Sequence, residues 1–256
     1  MNARLLALSR PLRTCLLVAV VGCVSPASPP VDTVPEGGTV LFVGNSLTAS
    51  NWMPLMVQAL AAAAEAPGID VRTIAFPDFD LRDHVARGDA MVAIRRGGWT
   101  TVVLQQGPST LSENRAQLRA SAAQFAQEIT KVGARPALLA VWPAETRRGD
   151  FFAAGESYAL AAADVGGALF PVGEAWLAAW RRDPQLVLYS SDGLHPSISG
   201  SYLAALVVTA VLTGRSPVGM TRELFLSNGA RVEIPASWAA TMQAAAAEVV
   251  APAASR

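Results

Sequence analysis

Apolar strand-like segments alternate with helical segments along most of the chain, and this alternation limits the possible folds more than any other feature. The strand-like segments are short apolar runs: 39–44, 69–76, 100–106, 136–142 and 168–172. The helical segments carry apolar residues at helical spacing: 52–66, 80–97, 113–132, 151–164, 174–181, 197–212 and 236–250. Strands that alternate with helices form a mainly parallel sheet covered on both faces. The sequence therefore predicts one α/β domain.

Local residues indicate how two of the helices begin and continue. We expect Asn51 to cap the helix at 52–66, since asparagine is favoured at that position. Pro54 falls in the first turn of this helix, where proline is tolerated. Gly88 weakens the helix predicted over 80–97, because glycine is a poor helix former.

The first predicted strand ends at Gly44-Asn45-Ser46, which puts a hydroxyl at a defined edge of the sheet. Open α/β sheets bind ligands in the crevice beyond the carboxyl ends of their strands. Ser46 should therefore lie on the functional edge. Gly-Asn-Ser is also ordinary turn sequence, so this feature alone does not indicate catalysis.

A base for that hydroxyl has to come from only two histidines. His84 lies within a predicted helix, and we expect it near the rim of the cleft without a catalytic part. His195 follows Asp192 by three residues, in a stretch where Gly193 and Pro196 exclude regular helix. In such a loop the aspartate can orient the imidazole through one nitrogen and leave the other free for a serine proton.

Two motifs carry a family resemblance. Gly44-Asn45-Ser46-Leu47-Thr48 and Asp192-Gly193-Leu194-His195-Pro196 resemble the first and last motif blocks of the SGNH, or GDSL-type, serine hydrolases, in the order of that family. The similarity spans residues 39–214. The stretches VGEAW and GSYLAA resemble a bacterial lipoprotein branch of the family that also begins with Gly-Asn-Ser. The family resemblance implies a three-layer flavodoxin-like sandwich, with Ser46 as nucleophile, His195 as general base and Asp192 as its orienting partner.

The oxyanion hole departs from the family pattern. The family uses the N–H of the serine, a glycine N–H from the second block and an asparagine side chain from the third. The second-block region here, FPDFDLRDH, has no glycine, and Pro77 has no N–H, so Asp78 is the expected backbone donor. The third-block region, LQQGPST, offers Gln105, Gln106 or Ser109. One of the two glutamines is preferred, and the choice between them stays open.

The front of the chain resembles a bacterial lipoprotein signal. Three arginines precede the apolar run CLLVAVVG, which is too short to span a bilayer but suits a secretory signal. Because the run ends in a lipobox-like Val-Val-Gly-Cys, we predict a signal peptide at 1–22 and lipidation of Cys23. Residues 23–38 would be a flexible Pro/Ser/Gly tether, and 39–256 the hydrolase-like domain. An ordinary cleaved signal with Cys23 incidental is the alternative.

A lipoprotein signal predicts that the protein is exported to the cell envelope and is bound to the lipid membrane through its N-terminal anchor. Cys15 would be removed with the signal, so no intramolecular disulfide is expected. Once Arg4, Arg10 and Arg13 are set aside, 17 basic residues face 20 acidic ones, so nucleic acid is not an expected partner. Two distant histidines without HExxH or CxxC spacing predict no metal and no cofactor.

The predicted function is hydrolysis of carboxylic esters through an acyl-enzyme intermediate, with acetyl esters of carbohydrate the preferred substrates. Trp142 ends a strand on the functional edge, and we predict that it faces the cleft and binds substrate. Two alternatives stay open. One is a catalytically degenerate lipoprotein that binds envelope glycan, which the missing second-block glycine favours. The other is an acyltransferase that uses the same three residues.

Overall fold

The computed structural model describes Met1 and residues 38–66 and 68–251. Apart from Met1, the predicted signal peptide lies outside this part of the chain, as do Cys23 and the tether up to residue 37, so these stay predictions. Within the described residues, none of the helices has the length and apolar character needed to cross a bilayer.

A five-stranded parallel sheet forms the centre of the domain, in the order β2-β1-β3-β4-β5. The strands are β1 Gly38–Gly44, β2 Ile69–Ala75, β3 Thr101–Leu104, β4 Arg135–Leu139 and β5 Ala168–Phe170. This is the flavodoxin-like order, in which the connections change direction between β1 and β3. The predicted fold class is confirmed, and the crevice for chemistry lies where β1 and β3 end.

Two groups of helices cover the sheet. The helices are α1 Ser46–Ala49, α2 Met53–Ala63, α3 Leu81–Arg87, α4 Asp89–Arg95, α5 Ser112–Lys131, α6 Phe151–Asp164, α7 Val172–Arg182, α8 Ile198–Thr213 and α9 Ala236–Val250. One group contains α2, α7, α8 and α9, and the other contains α3 to α6. Helix α8 is buried almost all round because α2, α7 and α9 surround it. This enclosed helix begins two residues after Pro196 and so fixes where the histidine loop ends.

Two local predictions differ from the structure, and one element was not predicted. The helix predicted over 80–97 is two helices, since Gly88 takes a left-handed conformation with φ 88° and ends the first of them. Asn51 does not cap α2, because its side chain bonds elsewhere and Trp52 holds the cap position. A small antiparallel pair, β6 Glu223–Phe225 and β7 Arg231–Glu233, was not predicted, since three-residue strands are too short to show a pattern.

His84 lies in α3 as predicted, but it is buried beneath the end of β1 and only 1% of its surface is exposed. Its Nε2 lies 2.8 Å from the Gly44 carbonyl oxygen, so this nitrogen carries the proton and donates. Nδ1 has no hydrogen-bond partner in the described part of the chain. The ring packs against Phe76 and Phe79. Burial lowers the pKa of His84, although the bond to Gly44 and nearby acidic side chains oppose the shift.

The burial of His84 predicts a pH dependence of stability. Because the folded pKa is below the ordinary value of 6.5, the unfolded chain binds the proton more readily. This contribution to stability is fully present above that value and is lost as the pH falls below it. We expect the urea midpoint to fall between pH values of about 7.5 and 5, and to fall less in His84→Gln, which keeps a donor for Gly44 but does not titrate. Equal slopes in the two proteins would contradict this assignment.

Candidate active site

The turn after β1 fixes the position of Ser46. Asn45 is the N-cap of α1, and its Oδ1 accepts from the N–H of Leu47 at 3.0 Å. Its Nδ2 donates to the carbonyl of Phe79, also at 3.0 Å, which ties the turn to the segment that precedes α3. Ser46 is therefore the first helical residue after the strand, and its hydroxyl is presented at the carboxyl edge of the sheet.

Asp192 and His195 lie in the loop before α8 and reach Ser46. Asp192 Oδ2 is 2.6 Å from His195 Nδ1, and His195 Nε2 is 2.9 Å from Ser46 Oγ. The carboxylate can only accept, so Nδ1 carries the proton and the lone pair of Nε2 faces the serine hydroxyl. The structure thus brings the three predicted residues together, in the geometry that a serine nucleophile and its base require.

The Asp192 carboxylate is held by several donors besides the imidazole. Its Oδ1 accepts from the Ser190 hydroxyl at 2.7 Å, the Leu194 N–H at 2.8 Å and the His195 N–H at 2.9 Å. These bonds, the one from Ser190 foremost, hold the pKa of Asp192 well below its ordinary value. The carboxylate therefore stays ionised at neutral pH and can stabilise a protonated imidazole.

Two side chains from other parts of the fold hold this loop. Asn51 Nδ2 donates to the carbonyl of Pro196 and to the hydroxyl of Ser201, each at 2.9 Å. Asn51 itself adopts φ 53°, a left-handed conformation that asparagine tolerates better than most residues. Trp142 Nε1 donates to the carbonyl of Leu194 at 3.1 Å. The backbone on both sides of His195 is thereby anchored.

The prediction that Trp142 faces the cleft is wrong. Its side chain is 2% exposed, and its ring stacks on that of Trp176 with centroids 4.0 Å apart. This stacking partner comes from α7 and draws the indole into the core, so Trp142 supports the loop instead of contacting substrate. The sequence alone did not predict that Asn51 anchors the histidine loop, because it indicated Asn51 only as the cap of the next helix.

A cavity of about 460 Å³ opens beside Ser46. Most of the side chains that line it are polar, and its lining residues are Asn45, Ser46, Leu47, Asp78, Phe79, Asp80, Arg82, Gln106, Gly107, Pro108, Ser109, Asn114, Gln117 and Leu194. The backbone N–H groups of Ser46 and Asp78 make no hydrogen bond within the described chain. Asp78 has φ 60°, a conformation that costs energy for a residue with a side chain. Two free donors thus belong to residues of the cavity wall.

The two glutamines after β3 occupy different environments. Gln105 does not line the cavity and is fully buried, and its Nε2 donates both hydrogens internally, to Asn45 Oδ1 and to the Gln106 carbonyl. Gln105 therefore has no hydrogen for an oxyanion, and that part of the prediction is wrong. Gln106 lines the cavity, with its Oε1 accepting from the Leu81 N–H and its Nε2 donating one hydrogen to Ser109 Oγ. Its second hydrogen is uncommitted.

Like Gln105, Ser109 has no hydrogen available for an oxyanion. Its hydroxyl proton is donated to the carbonyl of Gly107 at 3.0 Å, and its oxygen accepts from Gln106. Among the described residues there is no group of three or more histidine, cysteine or carboxylate side chains that could hold a metal ion.

Structural comparisons find known proteins with a similar fold. A protein from Slackia heliotrinireducens assigned as an SGNH hydrolase is 30% identical, with a TM-score of 0.58 over 68% of this chain and 98% of that one. A DUF4886 family protein from Bacteroides uniformis is 18% identical, with a TM-score of 0.67 over 84% and 95%. The acetylxylan esterase Axe2 from Geobacillus stearothermophilus is 15% identical, with a TM-score of 0.52 over 70% and 94%. The last two similarities concern the fold alone.

The sequence comparisons add no assignment. The chain matches no protein-family model. It also matches none of the curated proteins compared with it.

The contacts of Asn51 predict that it stabilises the histidine loop. Asn51→Ala removes two hydrogen bonds and puts alanine into a left-handed conformation, so we expect the free energy of unfolding to fall by about 1–3 kcal/mol. Asn51→Gly loses the same bonds but adopts the conformation freely, and it should cost less. Urea denaturation of both variants measures the difference. Losses below about 0.5 kcal/mol in both would show that the loop does not depend on Asn51.

Proposed function

Because the chain belongs to the SGNH hydrolase family, we propose that it hydrolyses carboxylic esters through an acyl-enzyme intermediate on Ser46. The observation that carries this proposal is the continuous chain of contacts from Asp192 through His195 to Ser46, with distances of 2.6 Å and 2.9 Å. An imidazole that shares one nitrogen with a carboxylate and the other with a hydroxyl can take the hydroxyl proton during attack on a carbonyl.

The reaction proceeds in two halves. Ser46 Oγ attacks the carbonyl carbon while its proton moves to His195 Nε2, and the imidazolium is stabilised by ionised Asp192. The tetrahedral intermediate collapses as His195 gives this proton to the leaving alcohol, so the C–O bond of the ester breaks and the acyl group stays on Ser46. Water then attacks the acyl carbonyl carbon while its proton moves to His195 Nε2. This second tetrahedral intermediate collapses as the bond to Ser46 Oγ breaks, the serine oxygen takes the proton from His195 and the carboxylic acid is released.

We assign the oxyanion to three donors in the cavity wall. The N–H groups of Ser46 and Asp78 have no partner in the described chain, and Gln106 Nε2 has one uncommitted hydrogen. The side chain of Gln106 is held in place because its Oε1 accepts from the Leu81 N–H at 3.1 Å. A single side-chain donor to an oxyanion contributes on the order of 10²-fold to 10³-fold in rate. Asp78 takes the place that glycine has in the family pattern.

The preferred substrates are small acyl esters of carbohydrate. The cavity beside Ser46 has a wall of polar side chains that includes Asp80, Asn114 and Gln117. The exposed polar atoms of such a wall can hydrogen-bond hydroxyl groups, whereas a long aliphatic acyl chain would displace water from them without replacing its hydrogen bonds. Export to the cell envelope and membrane anchoring through Cys23 belong to the same proposal, since they would bring the enzyme to glycan at the cell surface.

The test is hydrolysis of nitrophenyl acetate by the purified protein. Wild type should release nitrophenol, and Ser46→Ala should lower kcat by a factor on the order of 10⁴ or more, because the nucleophile is gone. Ser112→Ala, a change at an exposed serine in the first turn of α5, serves as the matched control and should leave kcat unchanged.

Two outcomes would redirect the proposal. Equal background rates in wild type and Ser46→Ala would contradict hydrolysis and favour the glycan-binding alternative. Ester products formed from an added alcohol, in preference to free acid, would indicate acyl transfer by the same three residues. Nitrophenyl octanoate should be a poorer substrate than the acetate, because the polar cavity wall disfavours the longer chain.

A further inference from the structure

Gln105 is a fully buried glutamine with every hydrogen-bonding position of its carboxamide used. Its Oε1 accepts from the Asn45 N–H at 2.9 Å and from Thr48 Oγ1 at 2.7 Å. Its Nε2 donates to Asn45 Oδ1 at 3.0 Å and to the Gln106 carbonyl at 2.5 Å. Three of these four bonds go to residues that flank Ser46 on either side.

The orientation of the carboxamide follows from its partners. A backbone N–H can only donate, so the atom that faces the Asn45 N–H is the oxygen of Gln105. Asn45 Oδ1 is fixed in turn, because it also accepts from the Leu47 N–H. The amide nitrogen of Gln105 is therefore the atom that faces Asn45 Oδ1. Each group has one workable orientation, and together they lock the turn.

Gly44 makes room for this side chain. A Cβ atom at position 44 would lie 2.4 Å from Gln105 Oε1 and 2.8 Å from Thr48 Oγ1, distances that real Cβ contacts do not show. The glycine of the motif is thus needed for close approach of Gln105 to the turn, and not for a left-handed backbone conformation, since Gly44 is part of β1.

The turn needs such support from outside. Helix α1 has only four residues, and a helix of that length is unstable without external contacts. Gln105 also connects the turn to the proposed oxyanion donor, since its Nε2 holds the carbonyl of Gln106. Tyr158 donates to that same carbonyl at 2.6 Å, so the backbone at Gln106 is fixed from two sides.

We propose that Gln105 is a positioning residue that sets the distance and angle between Ser46 Oγ and His195 Nε2. This inference rests on the proposed function. The glutamine sits in the region where the family resemblance led us to expect an oxyanion donor, and it acts here on the nucleophile turn instead. Errors of about 1 Å in the placement of reacting groups can cost on the order of 10²-fold in rate. The loss should appear in kcat, because Gln105 does not line the substrate cavity.

The experiment compares Gln105→Leu with Gln243→Leu in the ester assay. Gln243 is also buried and accepts from Gly219 while donating to Met220 and Tyr202, but it belongs to α9, and its side chain faces α8 away from the site. We expect Gln105→Leu to lower kcat about 10²-fold with little change in KM. Both variants should lose a similar amount of stability, since each removes a buried amide with its hydrogen bonds, but Gln243→Leu should leave kcat unchanged.

A second variant with a smaller structural change tests the same proposal if Gln105→Leu does not fold. Thr48→Val removes one donor to Gln105 Oε1 and preserves the side-chain shape, and it should lower kcat by a few fold without changing KM. Turnover by wild type that is lost in Ser46→Ala first establishes the proposed function. Folded Gln105→Leu with the kcat of wild type, or equal losses in Gln105→Leu and Gln243→Leu, would then overturn the positioning role alone. Absence of wild-type turnover would overturn both proposals.

Discussion

The 2.9 Å contact between His195 Nε2 and the Ser46 hydroxyl joins residues 149 positions apart, and the rest of the structure serves to make that contact possible. Parallel pairing brings the carboxyl end of β1 to one edge of the sheet. The enclosed helix α8 brings the histidine loop to the same edge from the other end of the chain. Neither segment could hold this geometry alone, because a short turn and a loop have little stability of their own.

Buried polar groups, more than apolar packing, define the site at the scale of an ångström. Asn45 and Gln105 bind each other and the backbone around Ser46, while Asn51 binds the backbone after His195. Asn45 and Gln105 are buried, and buried amides have few workable arrangements, since an unpaired buried polar group costs about 1–3 kcal/mol. A network that is fully satisfied therefore selects one conformation of the turn. The apolar core fixes the fold, and these amides fix the relation between nucleophile and base.

Much of the fold could be predicted because its signals are local. Five apolar runs separated by helical segments indicate a parallel sheet, and each of the five predicted strands is present with only its ends shifted. The histidine loop could be predicted too, because Gly193 and Pro196 exclude a helix over Asp192 and His195. Residues three apart in a loop can meet without information from elsewhere in the chain.

The remaining details depend on distant partners that no local pattern reveals. Gln105 and Gln106 are adjacent and of the same type, yet Asn45 binds the first and Leu81 binds the second, so only one of them reaches the cavity. Trp142 ends in the core because a tryptophan 34 residues later stacks on it. Asn51 was expected to cap a helix, and its side chain instead reaches Pro196.

The most direct measurement is mass spectrometry of the protein quenched in acid during turnover of nitrophenyl acetate. We expect one acetyl group per chain, on the peptide that contains Ser46, and far slower formation of this adduct in His195→Ala. An acetyl group on another residue, or formation on Ser46 at the same rate without the imidazole, would contradict the claim that these two side chains act as a unit.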